Sequence, residues 1–158
     1  MSNVTDMSGM FDSAKSFNYD LPKWDVSHVT SMAAMFRGQK PDRMGYPKSI
    51  FDGNISCWNV SQVRNMKSIF EFANSFNVDI SMWNVVQVTD MSKMFYHTSS
   101  TKRFNRNLSG WDVSNVRNME KMFGGWLNPF NGDLSKWNIS QVTKMNNMFY
   151  YARYFNSD

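Results

Sequence analysis

The chain has 158 residues, a net charge of +4 and a single cysteine, Cys57. That length suits one domain with a real core, and one cysteine excludes an internal disulfide framework and a Cys-rich zinc site. The longest apolar runs are five residues, Met32–Phe36 and Met148–Ala152, far short of a membrane span.

Taken in chain order, the opening MSNVTDMSGM lacks the basic and apolar regions of a secretory leader and instead supplies a half copy of a repeat over 1–16 (Val4, Met7, Met10, Phe11). Full copies begin at Phe17, Phe51, Phe76, Phe104 and Phe130, and a partial copy begins at Phe155. Trp24, Trp58, Trp83, Trp111 and Trp137 mark the phase, with a basic period of about 25 residues. Insertions lengthen the coil at 37–50 and 96–103.

Within a copy, Leu21, Trp24 and Val26 predict a very short strand. Val29, Met32, Met35 and Phe36 then predict a short helix, with Ser27 and its counterparts Ser61, Ser114 and Ser140 as caps. The Asn-x-Asp piece after Phe17 reads as a turn. No copy can bury its own apolar residues, so neighbours must supply the other walls. The expectation is an α/β repeat solenoid of about six coils, each a short parallel strand plus a short helix, with the tryptophans stacked in register inside.

Chemistry-bearing motifs are few. The methionines fall at regular spacing beside Phe and read as core filling rather than a soft-metal site. Asn18, Asp52, Asn77, Asn105, Asn131 and Asn156 form a polar column, expected to bond turn backbone from the inside. Asp20, Asn54, Asp79, Asn107, Asp133 and Asp158 form another, but calcium needs a denser set of carboxylates than this column provides. His28 and His97 lie in different copies, and no phosphate loop, HExxH or Gly-x-Ser-x-Gly occurs. The reading is therefore a non-enzymatic chain without a metal or cofactor.

Three groups of residues are candidate contact sites. Both insertions fall at the same place in the coil, so Arg37, Lys40, Arg43, Lys48, Lys102 and Arg103 should form one basic edge facing an anionic partner. Asp25, Asn59, Asn84, Asp112 and Asn138 recur beside the phase-marking Trp and are candidate contacts on the strand face. Met7, Met10, Phe149 and Phe155 would make end-to-end contacts if copies stack into a larger array. A protein or acidic glycan surface is the expected partner, ahead of nucleic acid, with self-association as the alternative.

Trp24-Asp25-Val26-Ser27-His28-Val29 and Trp111-Asp112-Val113-Ser114-Asn115-Val116, each followed by Met-x-x-Met-Phe and Phe-[Asn/Asp]-x-[Asp/Asn]-[Leu/Ile], resemble the repeat of BspA-type leucine-rich-repeat surface proteins. The likeness is to their mycoplasma-lipoprotein type, and it covers essentially the whole chain. It implies a leucine-rich-repeat-like solenoid with a parallel strand ladder, a location at the cell surface or outside the cell, and a role in adhesion. It carries no catalytic residues.

Overall fold

The computed structural model describes residues 3–40, 49–98, 104–126 and 128–157. Four of the six basic-edge candidates, Arg43, Lys48, Lys102 and Arg103, lie outside these residues, as does Asp158.

The repeats stack as coils, but the coils are not built of strand and helix. Among the described residues there is no helix, and pairing is confined to isolated parallel bridges. These run in a single column, Asp6–Ser31–Asn65–Asp90–Asn118–Lys144. The α/β, leucine-rich-repeat-like solenoid expected from the sequence is thus incorrect in its elements, and the reason lies in where the amides go.

In the expected helix, Met35 N–H reaches only three residues back, to Met32 C=O at 3.1 Å, and Arg37 N–H does the same to Ala34 at 3.2 Å. The alternate amides leave the segment altogether. Met32, Ala34, Phe36 and Gly38 donate to the carbonyls of Asn65, Lys67, Ile69 and Glu71 in the next coil, at 2.7–3.0 Å. A helix would send every amide four residues back along its own chain. Here half of them join neighbouring coils, which is a sheet-like function performed by a run of turns.

Backbone conformation enforces this. Ala34, Ser68, Lys93, Lys121 and Asn147 have φ between 54° and 59°, and Gly9 in the same column has φ 67°. A left-handed residue at the third position of a four-residue turn ends any right-handed helix there. Only the first copy places glycine in the column, so the residue types conceal the conformation.

The expected strand at Leu21–Val26 is likewise a turn, closed by Trp24 N–H to Leu21 C=O at 3.2 Å. The serines after it do not cap helices. The amides of Ser27, Ser61, Ser114 and Ser140 donate to the side-chain oxygens of Asp25, Asn59, Asp112 and Asn138, two residues earlier. These are Asx turns, the local alternative to helix initiation that short polar side chains favour.

The apolar columns form the core. One runs Phe11–Phe36–Phe70–Phe95–Phe123–Phe149, with near-parallel rings 5.5–6.0 Å apart. The second Phe of each coil stacks on the first, as Phe36 on Phe51 at 3.9 Å and Phe70 on Phe76 at 3.8 Å. Such offset stacks add to area burial. Trp24 and Trp58 stack at 6.4 Å with rings 7° apart.

Each later indole also carries a polar tie. The Nε1–H groups of Trp58, Trp83, Trp111 and Trp137 donate to the carbonyls of Leu21, Ile55, Ile80 and Leu108, one coil back. That satisfies a buried donor which would otherwise oppose burial.

At the rim, Asn18 Oδ1 accepts from Asp52 N–H at 2.7 Å, Asp52 from Asn77 at 2.9 Å, Asn105 from Asn131 at 2.8 Å and Asn131 from Asn156 at 2.6 Å. This column bonds backbone, but the backbone of the next coil. Its members are exposed or half-buried rather than turned inward.

Candidate functional site

Between the two Phe of each coil lies a short outer segment, and successive segments form one edge of the stack. Among the described residues this edge holds 12–16, 37–40, 49–50, 71–75, 96–98, 124–126, 128–129 and 150–154. It is the place where the coil length varies, because turn-built loops tolerate extra residues better than the hydrogen-bonded column does.

Its first half is charged, but not uniformly basic. Arg37 forms a forked pair with Asp12, with Nε to Oδ1 at 3.0 Å and Nη2 on Oδ2. The Arg37 hydrogen bond holds the Asp12 carboxyl below the ordinary carboxylate range. A hollow of about 260 Å³ opens beside this pair, lined by Ser13, Arg37, Gly38, Gln39, Lys40, Glu71 and Phe72. Glu71 is buried, so the hollow carries both signs of charge. The predicted basic edge therefore reduces, among the described residues, to an exposed Lys40 and a neutralised Arg37.

The second half is aromatic. His97 stacks on Phe72 at 5.2 Å, and burial, with Lys40 adding to it, pushes its pKa down. Beyond it stand Trp126, Tyr150, Tyr151 and Tyr154, each about half exposed. The Arg153 guanidinium carbon sits 4.1 Å over the Trp126 ring, and Tyr151 lies 5.7 Å from it. A guanidinium held on an indole face is attracted by the ring quadrupole and is oriented by it.

The segment bearing Trp126 is held from below. Asn128, nearly wholly buried, donates from Nδ2 to Phe95 C=O at 2.8 Å and accepts Phe130 N–H at 3.1 Å. Gly125 has φ 119°, and a Cβ there would come within 2.7 Å of His97 N. Glycine is thus required both for the bend and for the close approach.

Trp126 is a contact candidate that the repeat reading passes over. The signal was present: of six tryptophans it is the one out of phase, and Phe123 to Phe130 is one step longer than Phe70 to Phe76.

The other candidates are placed as follows. Asp25, Asn59, Asn84, Asp112 and Asn138 are exposed at a turn corner, since no strand face exists there, and each has Oδ1 occupied by an amide two residues on. Met7 is buried and Met10 is 47% exposed in the first coil. Phe149 and Phe155 are half-buried in the last, stacked on Phe123 and Phe130. In the second polar column, Asn54, Asp79, Asn107 and Asp133 each accept the amide of a serine two residues ahead. Among the described residues no three His, Cys, Asp or Glu side chains are grouped to hold a metal ion. Nor do the described residues include a helix long and apolar enough to cross a membrane.

Comparison with curated proteins and with solved structures yields no match. A family match does exist, over residues 1–103, 42–123 and 99–158, which together span the chain. With the repeat running through all three segments, the chain belongs to the family described as "Mycoplasma protein of unknown function, DUF285".

Proposed function

We propose that the chain is a non-enzymatic recognition scaffold of the BspA-type surface kind, whose variable edge binds an acidic glycan. The observation that carries this reading is the Trp126–Arg153–Tyr151 cluster, an oriented cation beside exposed rings on the edge where the repeat varies. Aromatic faces receive the apolar C–H faces of a sugar ring, and a guanidinium pairs with carboxylate or sulfate in a fork. The BspA-like repeat pattern supports the same reading through the surface and adhesion role that it implies.

Titration with heparin, with neutral dextran as the control, tests it. Binding to heparin should weaken as salt rises, because exposed charge is screened over about 8 Å at physiological ionic strength. Trp126→Ala and Arg153→Ala should each lower affinity about tenfold, a loss of roughly 1.4 kcal/mol. Dextran binding equal to that of heparin, or variants that bind as the parent does, would overturn the reading.

A further inference from the structure

We infer that a strip running along the stack through Arg64 and Arg117 docks an acidic peptide segment in the polyproline II conformation. The inference does not rest on the glycan reading, because none of the strip's residues belongs to the variable edge.

The strip is built by the backbone ladder. Thr30, Arg64, Thr89, Arg117 and Thr143 each precede a bridge residue by one, and all are exposed. From Arg64 onward, each donates its amide to the carbonyl of the one before, at 2.8–2.9 Å. Side chains in this column therefore emerge one per coil, at the parallel-strand spacing of about 4.8 Å. Thr30, Thr89 and Thr143 also send their hydroxyls back one coil, to the carbonyls of Thr5, Arg64 and Arg117 at 3.1–3.2 Å. The column is thus stiff before any partner arrives, which lowers the ordering cost of binding.

Its two cations are free. Arg64 and Arg117 have no ion pair or side-chain hydrogen bond among the described residues. Arg37 differs, being held by Asp12, and so does Arg106, whose guanidinium donates to Asn77 C=O. Asp90, in the bridge column beside the strip, has both oxygens occupied, by Ser92 N–H at 2.8 Å and by Asn118 Nδ2 at 3.3 Å. With Thr89 between them, the two arginines are rooted two coils apart, about 10 Å.

That interval selects the occupant. An extended strand carries same-face side chains at about 7 Å and then about 13 Å, and so misses it. Polyproline II has three residues per turn and rises about 3.1 Å per residue, so every third side chain returns to one face after about 9.3 Å. Acidic residues at that spacing would meet both arginines at once. The same conformation leaves its backbone amides and carbonyls free. Gln62, Gln87 and Gln141 stand in the neighbouring exposed column, two residues before Arg64, Thr89 and Thr143. Their side-chain amides have no partner among the described residues and can both donate to and accept from such a backbone. Neither column carries Trp, Tyr or Phe, so the strip lacks the ring platform on which sugars or bases would lie.

Titration with a peptide of Glu-Pro-Pro repeats tests the inference. The controls are a peptide of Glu-Pro-Pro-Pro repeats with the same number of glutamates, and heparin. The first peptide should bind, and should weaken as salt rises. The second, whose glutamates wind around the helix instead of sharing a face, should bind about tenfold more weakly. Arg64→Gln and Arg117→Gln should each cost about fivefold, the scale of one exposed ion pair. Both side chains are exposed, and thermal melting checks separately that the variants are folded. Equal binding of the two peptides, or folded variants that bind the first as the parent does, would overturn the inference. So would heparin binding that falls in the same two variants, since it would give the strip to a glycan.

Discussion

Phe95→Ala should destabilise the chain by about 3–5 kcal/mol, as large aromatic truncations do in cores that cannot collapse. Phe95 is fully buried and stacks on Phe70 at 5.8 Å, Phe104 at 4.5 Å and Phe123 at 5.6 Å. Its own amide and carbonyl are also engaged, with Met122 and with the Asn128 side chain. The coil cannot close around the void without breaking hydrogen bonds to both neighbours. Phe11→Ala should cost distinctly less, since Phe11 is half-buried with a coil on one side only. Urea unfolding of both variants checks the difference, and equal losses would mean that stacking is not what holds the coil.

Gly53→Ala should be a damaging methyl addition, at about 1–3 kcal/mol for an overpacked site. A Cβ there would overlap the backbone carbonyl oxygen of Tyr19. The coil cannot shift away, because the amides on either side are fixed: Asp52 N–H bonds Asn18 Oδ1 and Asn54 N–H bonds Asp20 Oδ1, both at 2.7 Å. Gly110→Ala is the matched control. Nothing lies within 4 Å of a Cβ at Gly110, and its stability should stay within about 0.5 kcal/mol of the parent. The comparison separates crowding from any general effect of replacing glycine.

Both expectations rest on the coil stack, and the stack was legible before its elements were. The phase of Trp58, Trp83, Trp111 and Trp137 and the paired Phe columns follow directly from the repeat, and all four indoles are buried. What the sequence concealed was the backbone between them. Val29, Met32 and Met35 recur every three residues, which suits either a helical face or a chain of turns, each closed three residues back. The deciding feature is the left-handed residue at Ala34, Ser68, Lys93, Lys121 and Asn147. Of those types only Asn commonly adopts that conformation, so propensity pointed to the wrong element.

At the edge, two of the six cations named from the sequence, Arg37 and Lys40, lie among the described residues, and they stand beside acids from neighbouring coils. Counting cations by sequence could not show that Arg37 is held by Asp12 from the coil before, nor that Glu71 from the coil after is buried beside it. Trp126 lies outside the repeat pattern, so periodicity does not mark it. Five tryptophans keep the phase of the repeat, and the sixth, Trp126, breaks it.

The central claim is that the Met–Phe segments are turns whose alternate amides bond the next coil. Solution NMR of the isotope-labelled chain tests it at Lys93, which has φ 55° and donates to Glu120 C=O at 2.8 Å. A coupling transmitted through that hydrogen bond, together with the short intraresidue amide-to-Hα contact of a left-handed residue, is the predicted result. An unbroken run of helical contacts from Val88 to Phe95, with amides bonded four residues back and no coupling to the next coil, would contradict it.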